Sequence, residues 1–281
     1  MRLGQVKHQS TITAAVFEGT MARLVPGYTV AGLIVKAEKE GVGLTELVAE
    51  LASRHPEPAT PIIPICPTEV WACGCTYNAS AAFRDKEIGA EEGVYSRVYY
   101  SDRPEIFFKG TSRVCVGPGR SIGIRSDSRF TAPEAELALI LGSKGEILGY
   151  TLANDVSAWD IERENPLYLP QSKMYSASCS LGPVIVTVDE PIDPYRLELT
   201  CEIRRAGQVI FSGSASTARL NRKFDHLVGY LLRANPVPAG SVLLTGTGII
   251  VGEQMALAAG DTVSIRAEEI GELSNLVTVV S

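Results

Sequence analysis

Short strand-like segments follow one another through most of the chain, and this succession is the feature that most limits the fold. From Val70 onward the segments include EVWACGCTY, EIFFKG, AELALILG, EILGYTLAND, GPVIVTV, LELTCEIRR, SVLLTG and DTVSIRAE. Turn residues rich in Gly, Pro and Asp separate them. Helical patterns are few, at Asn78–Glu87 and Asn221–Arg233. Strands and helices do not alternate regularly, which disfavours a TIM barrel or a doubly wound sheet. The pattern predicts an α+β, mainly β fold arranged as a sandwich or roll.

Residues 1–65 have a different pattern, which predicts a small N-terminal α/β domain. TITAAVFEG and MARLVPG alternate like short strands, and GLTELVAELASR has its leucines at helical spacing. The proline-dense segment HPEPATPIIPICP follows and predicts an extended linker. We therefore expect two units, 1–65 and 66–281.

Composition limits the partners that this chain can have. The 281 residues are 45% hydrophobic and 21% charged, which is ordinary for a globular protein. A net charge of −6 argues against a nucleic-acid partner, because phosphate binding needs a basic surface. No apolar run approaches the roughly 20 residues that span a bilayer, and the start lacks the apolar stretch of a secretory signal. The six cysteines do not suggest a disulfide scaffold, so we expect a reducing cytoplasm.

Acidic residues interrupt the most apolar part of the chain. Glu134 and Glu136 flank the start of AELALIL, and Asp155 ends the next strand-like segment. Taken as a hairpin with its turn centred between Lys144 and Gly145, this region places Glu134 opposite Asp155. Glu136 lies on the same face, because strand side chains repeat every second position. The three carboxylates would repel one another unless a proton or a cation lies among them.

Two interpretations of this carboxylate group stay open from spacing alone. All the donors are oxygens, with no His or Cys nearby, which favours a hard cation such as Mg²⁺, Ca²⁺ or Mn²⁺ over Zn²⁺. The plainer alternative is that the glutamates lie on a solvated strand end and that Asp155 caps a turn.

The segment that follows Asp155 resembles a known family. It reads NDVSAWDIERENPLYLPQSKMYSASCSLGP, after the E-x-E pair and a GYT-x-x-ND-x-S-x-x-D pattern. These motifs resemble the fumarylacetoacetate hydrolase family. RPEIFFKG with its following GPG, AGSVLLTGTGIIVG and AAGDTVSIRAEEIGELSN are similar to that family as well, so the resemblance runs in order from about Val70 to the C-terminus. It implies a fumarylacetoacetate hydrolase C-terminal-domain-like fold for residues 66–281, an enzyme and, commonly, a homodimer.

The resemblance also implies roles for individual residues. Glu134, Glu136 and Asp155 would hold Mg²⁺, with Ca²⁺ or Mn²⁺ as alternatives. In the family such an ion chelates a 2-oxo acid or β-diketone and stabilises an enolate. Lys173 matches the family's lysine beside the ion, and Thr247 matches a threonine that contacts substrate.

The chain departs from the family in three places. C–C hydrolases of the family carry a histidine soon after the first strand of the main domain, but CGCTYNASAAFRDKE contains none, and His8, His55 and His226 lie elsewhere. Gly248 stands where many members have proline, and Trp159 stands where relatives often have arginine. Without the histidine, water-driven cleavage lacks its base.

The segments CTYNASAAFR, YSDRPEIFFKG and DIERENPLYLPQSKMYSASCSLGP look closest to one branch of the family, which contains dehydratases of 2-keto-3-deoxy-D-arabinonate. This likeness implies a metal-dependent dehydratase (hydro-lyase) that acts on a 2-keto-3-deoxy sugar acid. Elimination of water needs a group that takes a proton and one that protonates the leaving hydroxyl. Glu105 is our candidate for this acid and base catalysis. Alternatively, it is a charge at the end of a strand or a partner of Lys109. Tyr77 and Arg84 are candidates for binding the substrate, or simply cover the core.

Two other functions remain open at this point. One is a different reaction of the same family: acylpyruvate or fumarylacetoacetate-type hydrolysis, decarboxylation or isomerisation. The other is a protein that binds a metabolite without catalysis. Asp160 and Glu162 are expected either to support the site residues or to serve the structure alone.

Overall fold

The computed structural model of the protein describes residues 1–87 and 93–281. The strands in these ranges are β1 Arg2–His8, β2 Thr11–Glu18, β3 Met21–Val25, β4 Glu57–Pro58, β5 Val70–Gly74, β6 Glu105–Gly110, β7 Cys115–Val116, β8 Ile122–Arg125, β9 Thr131–Ala132, β10 Ala135–Leu141, β11 Ile147–Asp155, β12 Ser157–Ala158, β13 Cys179–Thr187, β14 Glu198–Arg205, β15 Gln208–Ser216, β16 Ser241–Thr247, β17 Thr262–Ala267 and β18 Gly271–Val280. The α-helices are α1 Val30–Glu40, α2 Leu44–Leu51, α3 Asn78–Glu87, α4 Val94–Tyr100, α5 Trp159–Glu164, α6 Leu169–Lys173 and α7 Phe224–Leu231.

A large sheet runs through the described part of the chain, in the order β4-β3-β2-β1-β13-β11-β10-β16-β5-β6, with β7 paired to β13. The hairpin of β10 and β11 lies in its interior. Every residue of β10 is buried, which fits its nearly continuous apolar sequence, because both faces of a central strand are covered. The site-bearing hairpin is therefore held by neighbouring strands on both sides.

The two faces of the large sheet pack against different layers. On one face, Leu137 and Leu139 of β10 join a core with Ile203 and Ile265 from a five-stranded sheet in the order β15-β14-β17-β18-β8. On the other face, Ala138 and Ile140 join a core with residues of α1 and α2. This arrangement confirms the predicted α+β, mainly β fold built from packed sheets.

The strands of residues 1–65 extend the same sheet. β1 pairs antiparallel with β13, with Arg2 opposite Val186 and Leu3 opposite Ile185. These residues contain β1 to β4, α1 and α2, as expected of a unit with both strands and helices. The boundary between 1–65 and 66–281 stays a prediction.

One predicted helix differs in extent. The Asn78–Glu87 helix is present as predicted, but Asn221–Arg233 is helical only over Phe224–Leu231. The residues before Phe224 are used for other contacts: the Asn221 side chain donates to the Tyr99 carbonyl (2.8 Å), and Arg222 donates to the carbonyl oxygens of Asp102 and Val98 (each 3.0 Å). The backbone of Lys223 is extended, so the helix begins at Phe224, three residues later than predicted.

Two further features bear on the environment of the chain. Within residues 1–87 and 93–281, no helix has the length and apolar character that crossing a bilayer requires. All six cysteines are free thiols.

Candidate metal centre and active site

The β10–β11 hairpin brings three carboxylates together. Ala135 lies opposite Asn154, and the Asp155 N–H donates to the Glu134 carbonyl at 3.0 Å, which confirms the predicted register. Oxygen atoms of Glu134, Glu136 and Asp155 lie within 4.8 Å of one another. The three residues are only 3%, 1% and 1% exposed, so the alternative of a solvated strand end is wrong.

Three donors converge on one oxygen of Glu134. Its Oε1 accepts hydrogen bonds from Trp159 Nε1 at 2.7 Å and from Arg84 Nη2 and Lys173 Nζ, both at 3.0 Å. Burial would raise the pKa of this carboxyl, but the charges of Lys173 and Arg84 overcome burial and lower the pKa to about 2. Glu134 is therefore an anion at any physiological pH.

Glu136 is held through a different contact. Its Oε2 accepts the backbone N–H of Gly246 at 2.6 Å, whereas its buried Oε1 has no hydrogen-bond partner among the described residues. Gly246 has φ +94°, and a Cβ there would lie 2.0 Å from Thr76 Oγ1, so this position requires glycine. Burial, together with the charges of Asp155 and Glu134, raises the pKa of Glu136 well above its usual range.

Two buried lysines bind Asp155. Lys109 Nζ lies 2.5 Å from Oδ1, and Lys173 Nζ lies 3.0 Å from Oδ2. Lys173 also donates to Ser157 Oγ at 2.6 Å. Burial would lower the pKa of Lys173, but Asp155 and Glu134 raise it, so the side chain stays an ammonium. From the sequence, Lys109 was expected only as a possible partner of Glu105. The available signal was a lysine inside the otherwise apolar strand segment IFFKG.

This cluster contains more acidic than basic side chains. Five carboxyl groups and three cationic side chains interact here: Glu105, Glu134, Glu136, Asp155 and Glu162 against Arg84, Lys109 and Lys173. If all the acids are ionised, these described residues carry two more negative than positive charges. A hard dication fits this excess, the all-oxygen donor set and the unpartnered Glu136 Oε1.

Glu105 lies at the start of β6, against β5. It pairs across the ladder with Gly74, and the Cys75 thiol donates to its Oε2 at 3.4 Å. Burial raises the pKa of Glu105, while the charge of Arg84 partly opposes that rise. Lys109 pairs with Asp155, so the alternative in which Glu105 is the partner of Lys109 receives no support. The catalytic role of Glu105 stays a prediction.

Arg84 of α3 links the β10–β11 hairpin to its surroundings. Its guanidinium lies 5.5 Å from the Tyr95 ring centroid and 5.2 Å from that of Trp159. Nη1 lies 3.5 Å from Glu162 Oε1, while Nη2 donates to Glu134. Both terminal nitrogens of the guanidinium thus contact protein carboxylates. A contact between Arg84 and substrate stays a prediction.

A cavity of about 490 Å³ lies at the start of α3. Its lining is Tyr77, Asn78, Ala79, Ser214, Ala215, Arg219 and Gly248. Gly248 packs tightly, since a Cβ at this position would lie 2.6 Å from Tyr77 Cδ1 and 2.8 Å from Ala215 Cβ. The Tyr77 ring thus occupies the space that a proline at 248 would need.

Thr247 connects this cavity to the carboxylates. It immediately precedes Gly248 and pairs across the ladder with Glu136. Its Oγ1 accepts the Ile249 N–H at 3.1 Å. Burial and the charge of Glu136 both raise the pKa of Tyr77. Contact of Tyr77 or Thr247 with substrate stays a prediction.

The remaining acidic and histidine candidates bind elsewhere. Asp160 accepts hydrogen bonds from Ser128 Oγ and the Arg129 N–H, both at 2.7 Å, which fixes the loop before β9. His8 lies 3.5 Å from Glu57, and His226 Nε2 lies 3.0 Å from the Asp102 carbonyl. Neither histidine binds a carboxylate of Glu134, Glu136 or Asp155.

Comparison with known proteins defines the class. The family model described as fumarylacetoacetate (FAA) hydrolase C-terminal matches residues 86–278, so the chain belongs to this family. Among curated proteins, it is 49% identical over 213 residues to 2-dehydro-3-deoxy-D-arabinonate dehydratase of Saccharolobus solfataricus, covering 75% of this chain and 72% of the relative. It is 46% identical over 218 residues to a probable 2-keto-3-deoxyxylonate dehydratase of Haloferax volcanii, covering 78% and 75% of the two chains.

A solved structure matches along nearly the whole length. It is a 2-keto-3-deoxy-D-arabinonate dehydratase complexed with magnesium and 2,5-dioxopentanoate, at a TM-score of 0.83 and 38% identity, covering 100% of this chain and 99% of the other.

Proposed function

We propose that this protein is a Mg²⁺-dependent hydro-lyase that removes water from a 2-keto-3-deoxy sugar acid. The observation that carries the proposal is the buried group of Glu134, Glu136 and Asp155, whose carboxylate oxygens lie within 4.8 Å of one another. Two relatives that share nearly half of their aligned residues with this chain are named as dehydratases of such acids. The homologous dehydratase structure contains magnesium and 2,5-dioxopentanoate.

The three carboxylates would hold the ion. Bound Mg²⁺ supplies a Lewis acid that draws electron density from the substrate's 2-oxo group and makes the protons on its C3 carbon more acidic. Lys173, kept charged by Asp155 and Glu134, is placed to orient the substrate's carboxylate beside them. The substrate is thereby fixed by its oxo acid end.

Glu105 would move the proton. Dehydration breaks a C3–H bond and the C4–O bond, and the departing hydroxyl leaves as water after gaining a proton. In a C5 acid the new C3=C4 double bond then shifts, because C5 loses a proton while C3 gains one. The C4=C5 enol that results becomes the C5 aldehyde when its hydroxyl proton is lost and C4 gains a proton. A single carboxyl group can do both jobs in turn, because the proton that it takes from C3 is the one that it gives to the hydroxyl. Burial raises the pKa of Glu105, and a raised pKa makes a carboxyl group better able to hold and return a proton.

The cavity beside Tyr77 would take the other end of the substrate. Its volume of about 490 Å³ is ample for a C5 or C6 acid. Arg219 lines it, is exposed, and makes no hydrogen bond or ion pair with another described residue. Its N–H groups can donate to the hydroxyl oxygens, while Tyr77 and Thr247 lie on the side nearer the carboxylates.

The assembly and compartment are part of the same proposal. We expect a homodimer, as the family resemblance implies, and a cytoplasmic enzyme whose partners are small molecules and neither nucleic acid nor membrane. Light scattering after size exclusion measures the mass of the assembly, which for a dimer is twice the 30.1 kDa of the chain.

Product analysis tests the proposed reaction. The pure protein is incubated with Mg²⁺ and 2-keto-3-deoxy-D-pentonate, and proton NMR follows the appearance of an aldehyde signal as the signal of the proton on the hydroxyl-bearing C4 disappears. Chelation of the metal should stop the conversion, and excess Mg²⁺ should restore it. No turnover across C5 and C6 acids of this class would refute the proposal. Release of pyruvate from an acylpyruvate would instead identify a C–C hydrolase, and saturable binding without product would identify a metabolite-binding protein.

A further inference from the structure

The hydrogen bonds of Glu134 are distributed unevenly. Arg84, Trp159 and Lys173 all donate to Oε1, and among the described residues Oε2 accepts none. A carboxylate oxygen has two lone-pair directions, so three donors at one oxygen compete with one another. The arrangement fixes one oxygen to the protein and leaves the other for a ligand.

Of these three donors, Trp159 alone is neutral. A guanidinium or an ammonium beside a metal ligand repels a dication, whereas an indole N–H satisfies the same oxygen without adding charge. Lys173 already divides its contacts among Glu134, Asp155 and Ser157. If Lys173 turns toward a substrate carboxylate, Trp159 and Arg84 keep Glu134 Oε1 satisfied.

The indole of Trp159 is rigidly placed. The residue is 4% exposed, its backbone N–H donates to the Phe130 carbonyl at 2.8 Å, and its ring packs against Phe83 and Phe130 at 5.7 Å. The Arg84 guanidinium lies 5.2 Å from the ring. Because packing fixes the ring, the direction of the N–H is fixed before any ligand binds.

We propose that Trp159 is a positioning residue for the metal: its neutral N–H holds Glu134 Oε1 to the protein, so that Oε2 is available to the ion. This inference rests on the Mg²⁺ site of the proposed function, but it does not depend on which reaction follows. Removing the N–H should weaken Mg²⁺ binding even when the ring and the fold are kept.

Calorimetric titration with MgCl₂ tests the inference without measuring turnover. Trp159→Phe keeps an aromatic ring and removes the donor, and its Kd for Mg²⁺ should rise by about tenfold. Trp71→Phe is the matched control, because Trp71 Nε1 donates to Glu69, outside the metal-binding group, at a similar 2.8 Å. Its Kd should match that of the unmodified protein.

A second measurement leaves Trp159 in place. The chain has two tryptophans, so Trp71→Phe leaves Trp159 as the only indole fluorophore. Adding Mg²⁺ should change its emission with the same Kd as calorimetry gives. The inference requires both results. It is overturned if Trp159→Phe and Trp71→Phe bind Mg²⁺ within threefold of each other, or if the emission does not respond to Mg²⁺. Both measurements detect Mg²⁺ binding alone, so they test the inference even if no substrate is found.

Discussion

The carboxylate of Glu105 lies directly over the backbone of Gly74, its partner on the neighbouring strand. A Cβ at position 74 would be 2.0 Å from Glu105 Oε2. The absence of a side chain on β5 thus makes room for the proposed proton-transfer group on β6.

Gly74→Ala should displace Glu105 and reduce dehydration while leaving the metal site intact. Glu105→Gln, which cannot exchange a proton, should lower kcat by about 100-fold or more. Gly74→Ala should also lower kcat, and both variants should retain their affinity for Mg²⁺. Steady-state kinetics and calorimetry measure these quantities. Gly229→Ala is the control, since an added Cβ there meets no atom within 4 Å. Full activity in Glu105→Gln would remove this residue from the mechanism.

Glu136→Ala should abolish the response of the protein to Mg²⁺. A ligand that binds the native state at 100 times its Kd stabilises that state by about 2.7 kcal/mol. The unmodified protein should therefore melt at a higher temperature in excess Mg²⁺, whereas Glu136→Ala should show no such shift. Differential scanning calorimetry measures it. Glu50→Gln, a change of an exposed acid outside the cluster, should keep the shift. An undiminished shift in Glu136→Ala would place the ion elsewhere.

Arg219→Ala should impair binding of the hydroxylated end of the substrate. The loss of its donors to a hydroxyl predicts a KM about tenfold higher with a smaller change in kcat. Inhibition by 2-oxobutyrate, which has no hydroxyl groups, should be unaffected. Arg196→Ala, at a surface arginine that pairs with Asp193, is the control. Equal weakening of substrate and 2-oxobutyrate would mean that Arg219 acts on the oxo acid end or on the fold.

Asp261 should make the folded state sensitive to acid. Burial works to raise its pKa, but two hydrogen bonds of 2.8 Å from Arg205 and one of 2.8 Å from the Ala258 N–H lower it below the ordinary 3.8. A lowered pKa in the folded state contributes stability that is fully present above the unfolded-state pKa and is lost as the pH falls through the folded-state value.

Asp261→Asn should accordingly lower the free energy of unfolding at pH 7 by about 1–3 kcal/mol. The difference from the unmodified protein should shrink only below about pH 4, where the unfolded chain begins to bind the proton. Urea unfolding across this range checks the prediction. A difference that is constant down to the lowest pH would mean that the carboxylate charge contributes nothing.

The sequence predicted the centre of the site better than its surroundings. Alternation along β10 and β11 and the turn between them were enough to place Glu134 opposite Asp155, because strand register follows from a period of two and a turn position. Most of the longer strands of the larger unit were located within a few residues, but β15 and β18 were missed because their mixed polar sequences obscure the pattern. The short strands β7, β8, β9 and β12 were missed as well.

Contacts that depend on tertiary placement could not be read from the sequence. Arg84 and Glu134 are 50 residues apart, and nothing local indicates that α3 delivers a guanidinium to the hairpin. The pairing of Lys109 with Asp155 was not predicted, because the two residues belong to different strands and are 46 residues apart. Trp159 was noted only as a departure from relatives, since the direction of its N–H depends on how Phe83 and Phe130 pack around it.

The pairing of β1 with β13 has a practical consequence for handling this protein. β13 is also the neighbour of β11, the strand that carries Asp155. Proteolysis that releases the first three strands would expose the backbone donors and acceptors of β13 around Ile185 and Val186, one strand away from β11 and its Asp155. Preparations nicked in the proline-dense segment should therefore be screened for aggregation before any loss of activity is attributed to the chemistry.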